Sequence, residues 1–341
     1  MLSERKQHIL VAVIETYVRT GEPVGSKAVV DRLENAVSPA TIRNEMADLV
    51  ALGYLEQPHT SAGRVPTAKA FRLYIDDLMP RQPIADERRR DLDQQLQNGS
   101  QDPEQIIASA AQALSEMTGC VVVTTTPSEQ SVAVTDVELK AVSAHTVAVL
   151  LTIGTGSLRT RVCRMHSPIE LDFLHTLAQR LQERFVGKPL GMIGVGEIQS
   201  LLASMGERAW DYAPILTTFH ELVCAAAESD LMLNGQLNLL KHPDYHLEDA
   251  RSLLFFLSQQ DQLRRLMTAH SGGLRVILGE ENPRPELNSS SILMTRYVLH
   301  NGANGSIGLI GPLRMDYARM IPQLEYVAGA VGKWLTDLTK E

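Results

Sequence analysis

SPATIRNEMADLVALGYLEQPHTSAGRVPT, residues 38–67, begins and ends on helix-start signals, and what lies between them decides the N-terminal fold. Ser38 is placed to cap a helix, Pro39 suits the first helical position, and Gly53 falls just past the expected end. With Ile42 at the centre of the inward face, a period of 3.6 brings Met46, Leu49, Val50 and Gly53 beside it. The opposite face then carries Ala40, Asn44, Ala47 and Ala51, flanked by Thr41 and Arg43. Glu45 and Asp48 lie nearer the inner flanks. Next, YLEQ and RVPT flank PHTSAG, which predicts a hairpin with Gly63 able to take a positive φ. Thr67 caps a further helix, AKAFRLYIDDLM.

Working outward, SERKQHILVAVIETYVRT (residues 3–20) predicts a helix with Ser3 as N-cap and Gly21 beyond its end. Ile9, Leu10, Val13, Ile14 and Tyr17 make its apolar arc. GEPVGS is a turn, and Ser26 can cap a second helix, KAVVDRLE. Three helices in close succession, the last two joined by a short turn, have helix-turn-helix spacing. A hairpin directly after the third helix is then a wing. Small residues let such a helix approach a duplex closely, and Asn and Arg pair bidentately with adenine and guanine. Hydroxyls, main-chain N–H groups and arginines also supply phosphate contacts. The expected DNA-binding residues are therefore Ser38, Ala40, Thr41, Arg43, Asn44 and Ala47 on the helix, with His59, Thr60, Ser61, Gly63 and Arg64 in the hairpin.

Composition restricts this reading. The formal net charge is −8, so nucleic-acid binding must come from a local patch and not from the whole surface. Hydrophobic residues at 44% and charged residues at 21% describe a globular chain, and 341 residues suffice for two or three domains. No apolar run is long enough for a transmembrane helix. The opening MLSERKQHIL lacks the pattern of a signal peptide, and three scattered cysteines fit a reducing compartment. A cytoplasmic protein is the expectation.

Beyond the winged-helix region, PRQPIADERRRDLDQQ predicts a linker leading into an exposed helix. PEQIIASAAQALSEMTG is a helix ending at Gly119. CVVVTTT, VTDVELKAV, HTVAVLLTIG and LRTRVCRM have strand composition, as do LRVILGEE, SSILMTRYVLH and GSIGLIGPLRM. Residues 168–270 between these groups are largely helical, and YARMIPQLEYVAGAVGKWLTDL closes the chain as an amphipathic helix. Sheet, helical block and sheet again predict an α+β domain with a helical insertion.

TGEPVGSKAV, SPATIRNEMADL, GYLEQPHTSAGRVPT and FRLYIDDL together resemble the N-terminal domain of the heat-inducible transcription repressor HrcA family. LNGQLNLLKHPDY and GLIGPLRMDYARMI resemble that family's later segments, so the likeness runs over nearly the whole chain. Ala70 stands where the family usually has glycine, and Val50-Ala51 where an acidic residue is common. The resemblance implies an α+β multidomain protein: an N-terminal winged helix-turn-helix and a GAF-like α+β domain with an inserted, mainly helical dimerisation segment. On this chain the expected boundaries are 1–79 for the winged helix, 80–102 for the linker, 103–167 with 271–341 for the GAF-like domain, and 168–270 for the insertion. It also implies a homodimer on an inverted-repeat operator in double-stranded DNA, repressing chaperone operons. The GroEL chaperonin would keep the repressor active, and heat would release it.

Other constellations are weak. His242 and His246 are four apart, but Pro243 interrupts any helix, so neither a metal nor a cofactor is expected. GMIGVGE matches no dinucleotide fingerprint and reads as a turn. No nucleophile and base have spacing that specifies a catalytic site, so an enzyme is not expected. Arg314 and Asp316 in PLRMDY read as an internal salt bridge or domain contact. Two competing readings are a regulator gated by a small molecule in the GAF-like domain, and an enzyme with a DNA-binding appendage.

Overall fold

The structure is a computed structural model that describes the chain apart from residues 1, 34–37, 60–62, 98–101, 128–129, 131, 155–156, 207–208, 270–271, 301–302 and 339–341. Helix α1 spans Glu4–Thr20, α2 Ser26–Val30 and α3 Pro39–Ala51. Strands β1 (Leu55–Glu56) and β2 (Val65–Pro66) pair antiparallel, Leu55 opposite Pro66 and Glu56 opposite Val65. An isolated antiparallel bridge pairs Val24 with Arg64, the residue before β2. Helix α4 (Ala68–Leu73) runs on into a π-helical turn, Tyr74–Leu78.

The helix boundaries follow the side-chain chemistry. Ser3 accepts from Lys6 N–H, Ser38 from Thr41 N–H and Thr67 from Ala70 N–H, each satisfying a donor in a first helical turn. Gly21 and Gly53 take the left-handed conformation just past α1 and α3. Helix α2 is shorter than predicted and is capped at Gly25, with Ser26 as its first helical residue.

The region predicted as a linker contains α5 (Asp86–Gln97), which packs on α6 (Pro103–Thr118). Leu92 of α5 is buried, and Tyr326 donates to Asp93 at 2.9 Å. Strand β3 (Val121–Thr125) follows. The next elements are β4 (Val134–Ser143), β5 (Thr146–Ile153), β6 (Leu158–Arg164), α7 (Leu171–Phe185), α8 (Val195–Ala203) and α9 (Ala209–Ala227). Then come β7 (Leu231–Asn234), α10 (Asn238–Lys241), α11 (Leu247–Ser258), α12 (Gln260–Thr268), β8 (Arg275–Leu278), β9 (Ser290–Val298), β10 (Asn304–Pro312) and α13 (Tyr317–Leu338).

Two compact units result. The first comprises Met1–Thr125, Leu231–Val298 and Ser306–Leu338. At its centre is a five-stranded sheet in the order β7-β3-β10-β9-β8. Helices α6 and α13 pack against β3 and β9, while Leu253, Phe256 and Leu257 of α11 and Leu263 and Met267 of α12 cluster with Val121, Val123, Ile292 and Ile310. Strand β3 is buried along its whole length, which explains its unbroken Val-Val-Val run.

The second unit is Thr126–Asp230 with the short segment Leu299–Gly305. Its sheet is the antiparallel meander β4-β5-β6, and burial alternates residue by residue along β5. Val147, Val149, Leu151 and Ile153 face Leu177, Leu181 and Phe185 of α7 and Ile215 and Phe219 of α9 in one core. Phe185 and Phe219 meet with ring centroids 5.1 Å apart.

This partition differs from the predicted boundaries. Strands β4–β6, expected in the same α+β domain as β3, form a separate sheet and pair only with one another, and α11 and α12, expected in the insertion, cover the central sheet. Strand β7 lies within the stretch predicted to be largely helical, because Leu-Met-Leu-Asn is too short to show a strand period. Which sheet a strand joins depends on its pairing partner, and strand composition does not encode that partner.

Candidate nucleic-acid interface

Helix α3 presents two chemically distinct faces. Ile42, Met46 and Leu49 are buried, each contributing about 2 kcal/mol relative to exposure. Ala40, Arg43, Asn44, Ala47 and Ala51 are exposed, and Thr41 is half-buried on the flank, as the periodicity predicts. The Ser38 hydroxyl caps the helix, 3.1 Å from Thr41 N, and lies 2.9 Å from the Thr41 hydroxyl. Both hydroxyls are therefore already engaged locally. Among the described residues Arg43 and Asn44 have no ion-pair or hydrogen-bond partner, so their polar ends are available to an incoming surface.

The two carboxylates of α3 are met by α1. Lys6 lies 2.7 Å from Glu45 and 3.0 Å from Asp48, and Arg5 lies 3.8 Å from Glu45. The Lys6 ammonium is raised above its ordinary range, chiefly by its hydrogen bond to Glu45 and then by that to Asp48. Opposite charges so close offset the repulsion that the carboxylates would exert on phosphate. Sequence reasoning did not find this role for Arg5 and Lys6. Their signal was present, since both precede an apolar arc that must pack against α3.

The hairpin is fixed at its base. Val24 and Arg64 exchange two backbone hydrogen bonds, each 2.9 Å. A Cβ on Gly63 would come within 2.6 Å of the backbone at Pro23 and Val24. Gly63 is not among the positive-φ glycines, so the predicted reason for it is corrected: close backbone approach requires glycine here, not a left-handed turn. At the other end, the Thr67 hydroxyl donates to Gly53 O at 2.9 Å, and Lys69 donates to Leu52 O at 2.9 Å while lying over the Tyr54 ring. These contacts tie the end of α3 to the return of the hairpin.

His59 is exposed, whereas Gly63 and Arg64 are half-buried. Thr60 and Ser61 lie outside the described residues. Elsewhere, no group of three or more His, Cys, Asp or Glu that could hold a metal occurs among the described residues. No helix among them is long and apolar enough to cross a membrane.

A helix-turn-helix whose third helix exposes small residues, an amide and a guanidinium, followed by an anchored hairpin, defines a winged-helix DNA-binding protein. The sequence matches the family "Winged helix-turn-helix transcription repressor, HrcA DNA-binding" over residues 1–77 and "HrcA protein C terminal domain" over residues 104–321. It is 33% identical over 340 residues to the heat-inducible transcription repressor HrcA of Moorella thermoacetica, covering 99% of both chains. To the repressor of the same name from Clostridium botulinum strain Eklund 17B it is 32% identical over 342 residues, with 99% of both covered. A crystal structure described as a hypothetical protein shares the fold with a TM-score of 0.62 at 24% identity, over 99% of this chain and 100% of that one. The chain belongs to the HrcA family of heat-inducible transcription repressors, and so is a regulator and not an enzyme.

Proposed function

We propose that the protein is a cytoplasmic repressor of chaperone operons that binds an inverted-repeat operator in double-stranded DNA as a homodimer. Its base-reading groups are Arg43 and Asn44, beside Ala40 and Ala47, which allow close approach. Ser38, Thr41, His59, Thr60, Ser61, Gly63 and Arg64 line the flanking phosphates. The carrying observation is the outward face of α3, where Arg43 and Asn44 stand exposed among alanines and both carboxylates are met by Arg5 and Lys6.

The sheet β7-β3-β10-β9-β8 with its covering helices is the GAF-like part, and the meander unit is the inserted dimerising part. What supports the second assignment is apolar surface: Leu171, Met192, Val195 and Trp210 of that unit are all exposed. The GroEL chaperonin keeps the repressor in its folded, active form, and heat diverts it to other clients. A repressor with a small stability margin would respond steeply, since a loss of about 1–2 kcal/mol changes populations several-fold.

Footprinting on the DNA upstream of the protein's own gene, with and without chaperonin, tests this reading. Protection of two symmetric half-sites, strengthened by chaperonin, is the expected result. If a small molecule released the DNA while chaperonin changed nothing, ligand gating through the central sheet domain would replace it.

A further inference from the structure

The winged helix and the central sheet belong to one compact unit, and two arginines join them. Arg314, between β10 and α13, donates through Nε and Nη2 to the two carboxylate oxygens of Asp244, at 2.7 Å each. Its remaining arm, Nη1, donates to Val18 O near the end of α1 at 2.9 Å. The guanidinium carbon sits 5.9 Å from the centre of the Tyr17 ring. One planar group therefore ties three segments that are far apart in sequence.

The surroundings are shaped to this guanidinium. A Cβ on Gly21 would lie 3.2 Å from its carbon, so the left-handed glycine that ends α1 also makes room for it. The Arg314 and Asp244 side chains are only 14% and 24% exposed. A Lys ammonium has no planar fork and could not span the carboxylate and the carbonyl together. The second joint is Arg72 of α4, which pairs with Glu281 and donates to Val276 O on edge strand β8 at 2.9 Å. Between the two joints the rings of Phe71 and Tyr317 meet at 5.7 Å.

We propose that Arg314 and Asp244 are positioning residues for operator recognition: by clamping the end of α1 to the sheet domain they fix the direction in which α3 is presented. The inference rests on the dimeric reading above. In a dimer whose two reading helices are each held rigidly, only one half-site separation fits both. Loosening the clamp leaves each helix able to read its half-site but no longer pre-set for the separation. Arg314 touches no base or phosphate in this scheme and acts through α1.

The test compares operators with the native half-site separation, with separations lengthened or shortened by a few base pairs, and with a single half-site. Wild type, Arg314→Ala, Arg314→Lys and Asp244→Asn are each measured. The expected result is that the preference for native over altered separation falls by about tenfold in all three variants, the order of a lost coupling between packed groups. Single-half-site affinity should stay within about threefold of wild type, because the α3 surface is unchanged. Equal weakening on every operator would reduce the clamp to a folding role and overturn the proposal. Unchanged affinity and unchanged spacing preference would also overturn it. If Arg314→Ala does not fold, the near-isosteric Asp244→Asn carries the comparison. A wild-type protein indifferent to spacing would remove the dimeric reading itself, and the inference with it. A spacing preference that survives every variant would remove only the clamp.

Discussion

Replacing Gly63 by alanine tests the wing most directly, because the added methyl has nowhere to go. The new Cβ would stand 2.6 Å from Pro23 C, Pro23 O and Val24 C, all of them backbone atoms that cannot swing aside. The contact is relieved only by moving residue 63 away from the α1–α2 turn. That movement opens the pair of hydrogen bonds between Val24 and Arg64. Two backbone hydrogen bonds at about 1 kcal/mol each put the local cost near 2 kcal/mol, within the range for overpacking a tight site. Native-state hydrogen exchange reads this locally, without needing a two-state unfolding transition that a chain of two units will not show. Gly63→Ala should lower protection of the Val24 and Arg64 amides by about 30-fold while leaving β3 and β10 unaffected. Operator affinity should fall with it, since the wing loses its anchor. Protection and affinity both within about twofold of wild type would refute the reasoning: neither the close approach nor the bridge would then hold the hairpin.

Arg43→Ala should weaken specific binding by about 1–3 kcal/mol and non-specific binding far less, in competition assays against unrelated DNA. Equal loss on every sequence would reassign Arg43 to the backbone. Arg64→Ala should weaken binding on all sequences and reduce the slope of log affinity against log salt by about one. An unchanged slope would remove Arg64 from the phosphate contacts. For Glu281, burial by itself raises the carboxyl, but the hydrogen bonds from Arg72 and Leu278 N–H and the Arg72 charge together hold it below its ordinary value. A depressed carboxyl contributes stability above its unfolded pKa and loses it as pH falls through the folded value. Exchange protection in β8 should therefore decline on the acid side, below about pH 4.5, and Glu281→Gln should flatten that part of the profile. A wild-type profile identical to that of the variant would show that the Arg72 joint does not depend on the charge.

Local features were the most legible in the sequence. Ser3, Ser38 and Thr67 cap the helices assigned to them, and Gly21, Gly53 and Gly119 take the left-handed conformation at helix ends. A cap involves a side chain and backbone within three residues of it, so its signal is carried in a short string. The two faces of α3 were legible for a related reason: period 3.6 turns a list of residues into an orientation. The exceptions were also local. Ser26 opens α2 without capping it, since Gly25 already holds the cap position.

What stayed hidden depended on partners distant in the chain. Gly63 is needed because Pro23 and Val24 lie against it, some 40 residues earlier in the sequence. The segment expected to be a linker is docked through Leu92 and through Asp93, which meets Tyr326 of α13. The two sheets are not told apart by composition: Val121–Val123 form an unbroken apolar run, but β5 also runs Val-Ala-Val-Leu-Leu over residues 147–151, and its alternation is one of burial only. An unbroken run fits a strand covered on both faces, yet β5 has one and is covered chiefly on one, because what covers the other face is settled by packing.

The amino-acid sequence by itself determined the winged helix, the exposed face of α3 and the family, because these rest on caps, periodicity and a distinctive string within residues 38–67. Only the tertiary structure decided that β4–β6 leave the central sheet, that α1 meets the carboxylates of α3, and that Arg314 joins Val18 to Asp244. The physical reason is the same in each case. Strand pairing and bidentate guanidinium contacts are chosen among many chemically equivalent partners, and only packing brings one of them within 3 Å.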